Sequence, residues 1–335
     1  MKNGLIGVVL VGVAAFAGCS RPITEKPKTE QKDLLTVDFK EGQPLRYRFA
    51  TGREITIDWD PEKKSPGSRG GTIDKSTESM EMLATYTAKK VDPYGGSTVE
   101  VRIDSAKVSR SKGGNRDGKS DAVEHLASRT FVIEVGPDGK IVDYSQLDAL
   151  IKEIGPKAFR PETGGGRIKE PDMIGDFVAT QWFLWDSISS IADAAKGVTV
   201  GQTWTSQLSV PGPMVMRKAR DVTYTLSEIR STAGGPQAGR LAVIKSSYKP
   251  AETVPQGWPI PYSGSFQMAG TFGFLSGYKL LALEGEGEEL FNIDLGRIEQ
   301  SIQKYRMQVQ AFIPLGISVS PRITIDQTIT MQLSN

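Results

Sequence analysis

Long runs in which apolar and polar residues alternate constrain the fold of this chain more than any other feature. Alternation with a period of two puts successive side chains on opposite faces of a strand, so one face is buried and the other meets water. Such runs predict a mainly β protein of the α+β class whose sheets are antiparallel. The runs are LRYRF (45–49), EITIDW (54–59), TVEVRIDSAKV (98–108), TYTLSEI (223–229) and RITIDQTITMQL (322–333), with the first two joined through Thr51-Gly52.

Two further segments extend the strand assignment. Residues 131–144 (FVIEVGPDGKIVDY) predict a hairpin, because Pro-Asp-Gly forms a turn between two apolar runs. Residues 296–312 (GRIEQSIQKYRMQVQAF) fit either a helix, through the spacing of Ile298, Ile302 and Tyr305, or a strand. We favour a strand for the C-terminal half of this segment and leave the rest open.

Two portions of the chain resemble each other, which predicts a duplicated unit. Their matches occur in the same order, and each TF is predicted to open a strand. The matches are GQPLRYRF at 42–49 with GQTWTSQL at 201–208, TYT at 85–87 with TYT at 223–225, and TF at 130–131 with TF at 271–272. We therefore expect two antiparallel β-meanders, residues 44–144 and 201–335, which form one strongly curved sheet or half-barrel, with two similar lobes as the alternative.

A helical insert, residues 145–200, is expected between the two meanders. The segment SQLDALIKEIG (145–155) has a Ser at its N-terminal cap and ends in Gly. Residues 171–197 begin with Pro, end with Lys-Gly, and place Val178, Trp182 and Trp185 at helical spacing. Both segments predict helices.

The N-terminus has the three parts of a secretory signal, which we predict to be residues 1–18. Lys2 supplies a positive charge, residues 4–18 are uncharged and mostly apolar, and small residues precede Cys19. The apolar run is shorter than the roughly 20 residues that a membrane-spanning helix needs. Cys19 is the single cysteine of the sequence, so an intramolecular disulfide is excluded.

The tetrapeptide FAGC (16–19) resembles the lipobox of bacterial lipoprotein precursors, with Phe16 where that family usually has Leu. The resemblance implies cleavage before Cys19, a diacylglycerol thioether on its sulfur and acylation of the new amino group. Several acyl chains anchor a protein firmly, because each buried CH₂ contributes roughly 0.8 kcal/mol. Ser20, in place of Asp, implies sorting to the outer membrane of the cell envelope, facing the periplasm or the surface. An ordinary cleaved signal and an uncleaved helix are the alternatives.

The whole chain is similar to uncharacterised bacterial lipoproteins that combine a lipobox, a polar tether and antiparallel β-repeats. It is also loosely similar to LolA/LolB-like half-barrel carriers, whose helical lids cover a sheet. Residues 19–43, rich in Lys, Glu, Thr and Pro, are the predicted flexible tether. A net charge of +2 from 41 basic and 39 acidic residues gives no global field for binding nucleic acid.

Residues 113–120 (GGNRDGKS) match the phosphate-loop pattern of nucleotide-binding proteins. A phosphate loop follows a buried parallel strand and opens a full helix. Here the preceding strand alternates, and only DAVEHLAS (121–128) follows before the next strand, so we predict no nucleotide. His125 is the one histidine, and a lone histidine cannot build the usual zinc sites. We predict no catalytic residue, metal or cofactor.

Aromatic side chains are the best candidates for contacts with a ligand or partner. Trp182 and Trp185 lie on the predicted helix, and Trp258 and Tyr262 lie in a proline-rich loop. They predict either a helix packed on the sheet or a helical lid with the loop at its mouth. An apolar cavity beside Trp182 or Trp185 would support a ligand, whereas a solidly packed interface would remove that version.

The sequence therefore predicts a non-enzymatic, membrane-anchored envelope lipoprotein that binds an apolar ligand or a protein partner. Two alternatives belong to other classes. One is a hydrolase that uses paired carboxylates, which requires two acids close together with a shifted pKa. The other is a purely structural surface lipoprotein.

Overall fold

A computed structural model of the chain describes residues 32–62, 73–111, 120–161, 166–214, 216, 218–232, 239–254, 266–314 and 319–334. The predicted signal (1–18), Cys19, Trp258, Tyr262 and most of the glycine-rich match (113–119) lie outside the described residues. Residues 32–335 form one compact unit. Among the described residues, no helix is both long and apolar enough to cross a bilayer.

Strands dominate the structure, and most of them join one sheet. The eleven-stranded sheet contains β1 Pro44–Asp58, β2 Ile73–Val91, β3 Ser97–Arg110, β4 Thr130–Val135, β5 Ile141–Asp143, β8 Thr203–Ser209, β9 Ala219–Thr232, β10 Gly239–Pro250, β12 Ser276–Asn292, β13 Arg297–Phe312 and β14 Arg322–Ser334. A small second sheet contains β6 Phe159–Pro161, β7 Arg167–Lys169 and β11 Gln267–Met268. The α-helices are α1 Ser145–Ile154, α2 Ile174–Phe183, α3 Asp186–Ser189 and α4 Thr271–Phe274, and three short 3-10 turns are Ala122–Leu126, Gly155–Ala158 and Ala194–Lys196.

The large sheet is one continuous meander in space, although the chain enters it in the middle. Its strand order is β5-β4-β3-β2-β1-β14-β13-β12-β10-β9-β8. The first strand, β1, pairs antiparallel with the last, β14, so the N-terminal and C-terminal meanders meet at the centre. The helical insert runs from the edge strand β5 to the opposite edge strand β8. The predicted mainly β fold, with two antiparallel meanders and helices between them, is confirmed.

Two strand predictions are settled by the pairing. LRYRF and EITIDW are one strand, β1, because the inward positions continue without a break through Thr51 and Arg53, which are 1% and 3% exposed. Residues 297–312 are strand throughout, since β13 pairs with β12 on one side and β14 on the other. The predicted hairpin at 131–144 forms β4 and β5, with Val135 opposite Ile141.

Two elements differ from the sequence prediction, one predicted helix and one predicted strand. The segment 171–197 is divided into α2, α3 and a 3-10 turn, and Trp185, between the two helices, has a non-helical backbone with a φ of 178° and a ψ of 4°. Thr271 opens the four-residue helix α4 rather than a strand, and Gly270 before it has a φ of +69°, which redirects the chain. The two TF matches therefore differ in structure, because Thr130 begins the strand β4 and Thr271 begins the helix α4.

The folded body begins earlier than the predicted tether boundary at residue 43. Leu35, Val37 and Phe39 are buried, and Asp33 exchanges two backbone hydrogen bonds of 2.9 Å with Val198. The ring of Phe39 meets that of Trp185 edge to face at 5.2 Å. The apolar alternation of these residues, embedded in a charged segment, explains why composition alone assigned them to the tether.

A row of polar residues crosses the inner face, the face of the large sheet that contacts α2 and α3. Neighbouring strands place its members opposite one another in register, from Arg110 through Glu78, Arg53, Gln327 and Tyr305 to Gly285 and Tyr248. Apolar residues lie on either side of the row on β1, with Tyr47 and Phe49 on one side and Ile55 and Ile57 on the other. The row therefore divides the apolar inner face.

An ion-pair chain ties the first part of this row to helix α2. Arg53 donates from Nη1 to both carboxylate oxygens of Asp176 at 3.1 and 3.0 Å, and from Nε to Glu78 at 2.7 Å. Glu78 also accepts from Arg110 at 3.2 Å, and Arg110 donates to Asp121 at 2.6 Å. Burial raises the pKa of Asp176, whereas the two arginines hold the pKa of Glu78 below its usual value despite burial. The position of α2 is thus fixed by buried charges.

Asp176→Ala is expected to lower the free energy of unfolding by about 3–5 kcal/mol, because it leaves a buried guanidinium short of a partner. The control is Asp326→Ala, which breaks the exposed Arg306–Asp326 pair, with side chains 55% and 46% exposed. That change should cost about 1 kcal/mol or less. Urea unfolding at pH 7 measures both, and equal losses would contradict a special role for the buried pair.

Candidate functional site

Helix α2 lies in the interior and is buried on nearly every side. Its sequence IGDFVATQWF is apolar around most of its circumference, as expected of a helix enclosed by other elements. Just before its first residue, Asp172 accepts the backbone N–H of Ile174 at 3.0 Å in a local turn. Gln181 accepts a hydrogen bond of 2.9 Å from the Tyr86 hydroxyl on β2. α2 is therefore the element that covers the centre of the sheet.

A cavity of about 10 Å³ lies between α2 and the inner face, room for about one water molecule. It has an apolar side and a polar side, and its two lining residues from α2 are Thr180 and Phe183. The remaining lining residues, on β1, β13 and β14, are Phe49, Ser301, Gln303, Ile329 and Met331. We call this space the α2 seam.

A buried arginine lies beside the α2 seam. Arg220, on β9, is 0% exposed and donates from Nη2 to Gln303 at 2.6 Å. Three aromatic rings surround its guanidinium, with centroids 4.8 Å (Phe183), 4.4 Å (Tyr248) and 4.8 Å (Tyr305) from Cζ. We call these five residues the Arg220 cluster. Gln303 and Phe183 belong to both the cluster and the seam, so the two are contiguous.

Two acids with raised pKa values lie where α3 meets the sheet, Asp186 as the first residue of α3 and Glu289 on β12. Burial raises the pKa of Glu289 to about 8, and Ser187 donates a hydrogen bond to it. Burial likewise raises the pKa of Asp186 to about 6, although Tyr224 and Ser206 donate to it at 2.7 and 2.8 Å. Glu289 is therefore mostly protonated at pH 7, and Asp186 is mostly ionised.

The tryptophans singled out in the sequence take different places. Trp185 is 2% exposed and packs edge to face on Phe39 and Tyr86, at 5.2 and 5.8 Å. Trp182 is half-buried, with its ring 5.2 Å from that of Tyr144. Neither tryptophan lines the α2 seam. Around Trp185 the helix–sheet contact is packed, and the cavity lies instead beside Phe183.

The charged residues of the site were not found from the sequence. Arg53, Arg220 and Glu289 each occupy an inward position of a strand whose other inward residues are mostly apolar. A charge in the apolar phase of an alternating strand must be paired, hydrogen-bonded or neutralised. That local violation is the signal that could have identified all three.

The glycine-rich match has a structural setting unlike that of a phosphate loop. The strand before it, β3, pairs antiparallel with β2 and β4. The five-residue 3-10 turn Ala122–Leu126 follows Ser120, in place of a full helix. His125, in that turn, is exposed. Within the described ranges, no group of three or more His, Cys, Asp or Glu side chains could hold a metal ion.

No protein-family model matches this sequence, and no curated protein matches it. Among solved structures, the chain is similar to one described as "lipid-protein interactions in lipovitellin", with a TM-score of 0.38 and 9% sequence identity. The match covers 89% of this chain and 26% of that one, so this chain spans about a quarter of its length. A similarity of this size does not establish a shared function.

Glu289→Gln is expected to flatten the pH dependence of stability. The folded pKa, about 8, exceeds the ordinary value of 4.5, so the folded state keeps a proton that the unfolded state loses. The free energy of unfolding should therefore fall as pH rises from about 4.5 to about 8. Asp186 contributes a similar fall only up to about pH 6. Urea unfolding between pH 6.5 and 8.5 isolates the effect of Glu289.

At pH 8.5 the Glu289→Gln variant should be more stable than the wild type, since Gln keeps an acceptor for Ser187 and carries no charge. Glu286→Gln is the matched control, because Glu286 is exposed on the same strand and should leave the slope unchanged. Parallel pH profiles for the wild type and Glu289→Gln would contradict the assignment.

Proposed function

We propose that this chain is a lipid-anchored envelope lipoprotein that binds an apolar ligand between α2 and the inner face of the large sheet. The observation that carries the proposal is the α2 seam, a cavity at the helix–sheet interface with Phe49, Phe183, Ile329 and Met331 on its apolar side. Binding sites for small molecules are mostly apolar, with a few placed polar groups. Thr180, Ser301 and Gln303 supply the polar groups here, and Gln303 also accepts a hydrogen bond from the adjacent Arg220.

The inner face is suited to ligands of variable shape. Four methionines, Met80, Met82, Met307 and Met331, are buried on it, each 5% exposed or less. Methionine is unbranched and flexible, and it adapts to partners of different outline. These side chains can therefore repack around an apolar chain.

A ligand larger than a water molecule requires α2 to move away from the sheet. Specific polar contacts hold the helix, chiefly Arg53 with Asp176 and Tyr86 with Gln181. When those contacts open, Phe49, Ile329 and Met331 lose their cover. An apolar ligand would restore the burial of that surface, at about 25 cal/mol per Å². We infer that α2 acts as the cover of the site.

A carboxylate-dependent hydrolase is the second candidate, because Glu289 and Asp186 are buried acids with raised pKa values, and the charge of Asp186 adds to the rise at Glu289. Their hydrogen bonds to Ser187, Tyr224 and Ser206 join α3 to β8, β9 and β12, which supports a role in holding the helical insert. If the chain is a ligand-binding lipoprotein, Glu289→Gln keeps ligand binding. If it is a hydrolase, the same substitution abolishes activity.

Cys19→Ala is expected to release the full chain from the membrane, since the substitution removes the proposed site of acylation. The measurement is the distribution of the protein between the membrane and soluble fractions of a Gram-negative host. Ser20→Ala serves as the control and should stay in the membrane fraction. Membrane retention of Cys19→Ala would favour the uncleaved-helix alternative.

Ser301→Leu is expected to lower the amount of ligand that co-purifies with the body, residues 32–335. Ser301 lines the α2 seam, and a leucine there fills the space. The matched control is Ser105→Leu, at an exposed position of β3. Native mass spectrometry of protein purified from cells gives the bound fraction. A wild-type protein without any bound apolar molecule would contradict the proposed function.

A further inference from the structure

Two arginines are fully buried on the inner face, and they differ in what neutralises them. Arg53 is paired with two carboxylates, Asp176 and Glu78. Arg220 forms no ion pair with any residue that the structure describes. Arg53 thus has carboxylates in direct contact, whereas Arg220 acts on a carboxylate only at a distance, through Asp186, whose pKa it lowers.

Two nitrogen donors of Arg220, Nε and Nη1, have no acceptor among the described residues. Gln303 accepts from Nη2, but Nε and Nη1 have no hydrogen-bond partner within the described part of the chain, and neither does the Tyr305 hydroxyl beside them. The three surrounding rings offset part of the positive charge. They do not supply acceptors in the plane of the guanidinium, and a buried donor without an acceptor is costly.

The nearest acids are already engaged elsewhere. Asp186 accepts from Tyr224 and Ser206, and Glu289 accepts from Ser187. Arg220 lowers the pKa of Asp186, whose charge therefore offsets part of that of the guanidinium at a distance, whereas burial raises the pKa of Glu289 to about 8 and leaves this acid with little negative charge at neutral pH. Neither acid therefore engages Nε or Nη1 of Arg220, which are buried while α2 covers the sheet.

Two glycines of β12 make room for the rings around Arg220. A Cβ at Gly285 would lie 2.5 Å from the Cβ of Tyr305, and a Cβ at Gly287 would lie 2.3 Å from the hydroxyl of Tyr248. Both distances are too short for a residue with a Cβ unless the neighbours shift, so the cluster requires glycine at 285 and 287. The cage around the guanidinium is a built feature.

We propose that Arg220 binds the headgroup of an anionic amphiphile, which deepens the proposed function and rests on it. Nε and Nη1, with the Tyr305 hydroxyl, donate to a carboxylate or phosphate, groups whose geometry matches the planar guanidinium. The apolar chain lies in the adjoining α2 seam, against Phe49, Ile329 and Met331. Gln303 lies at the junction of the two parts and orients Arg220.

The test compares three ligands that share one dodecyl chain: dodecanoate, dodecyl phosphate and uncharged dodecanol. The protein is the full chain carrying Cys19→Ala, stripped of bound lipid, and titration calorimetry is done below the micelle concentration. We expect both anions, or one of them, to bind about 10- to 100-fold tighter than dodecanol, the range for hydrogen bonds to charged groups. Which anion binds tighter identifies the headgroup as carboxylate or phosphate.

Arg220→Met should abolish this preference, so that dodecanoate and dodecyl phosphate bind no tighter than dodecanol. Because it replaces an unpaired buried cation with an apolar chain of similar length, it should fold as stably as the wild type. Arg306→Met, at an exposed position of β13, is the matched control and should keep the preference. Tyr305→Phe tests the site independently, with an expected loss of about 5- to 10-fold for the anions alone.

The outcomes separate this inference from the function on which it rests. If the wild type binds dodecanol and the anions equally, or if Arg220→Met keeps the preference, the Arg220 site is overturned while apolar binding stands. If none of the three ligands binds, both are overturned. Inorganic phosphate that binds as tightly as dodecyl phosphate would overturn the amphiphile and leave a free-anion site.

Discussion

The pairing of the first strand with the last is the contact on which the rest of the structure depends. β1 and β14 are in register from Arg46 opposite Ser334 to Asp58 opposite Arg322. This pairing joins two meanders that the chain connects only through the helical insert. It also aligns Arg53 with Gln327, whose amide donates to Asp176 at 3.0 Å. The central pairing thus assembles both the sheet and the platform on which α2 lies.

The buried polar row gives the inner face a specific order at an energetic cost. An apolar sheet and an apolar helix can pack in several registers, whereas Arg53, Asp176 and Glu78 satisfy one another in one arrangement. Buried ion pairs add little net stability when their desolvation is counted, but removing one partner is costly, which disfavours other registers. At Arg220, Nε and Nη1 have no acceptor among the described residues, which is the physical basis of the proposed headgroup site.

Much of the fold could be predicted because alternation is a local signal. The odd-numbered residues of β1 from Leu45 to Ile57 face inward, and they show the pattern in the sequence itself. The order of strands could not be derived, since pairing of β1 with β14 joins residues at opposite ends of the chain. The segment around Leu35 and Phe39 was missed because its apolar positions are diluted by charges.

The candidate site was less predictable than the fold. Trp182 and Trp185 were predicted as contact residues because they are aromatic. Trp185 instead lies in the core, and the cavity lies beside Phe183. The site depends on charges whose partners are distant in sequence, as for Arg220 and Gln303. Such pairs form only when the strands are assembled, so the spacing of residues along the chain does not predict which residues are paired.

The position of β1 and β14 at the centre of the sheet also has a consequence for folding. Of the described strands, β1 is synthesised first, whereas one of its two neighbours, β14, is synthesised last. Until the final residues are available, β1 presents an open edge of unpaired backbone groups, a template for association with other chains. Contacts so distant in sequence also slow the search for the native state. A ribosome-bound or truncated chain is therefore at its most aggregation-prone along the strand that will become its centre.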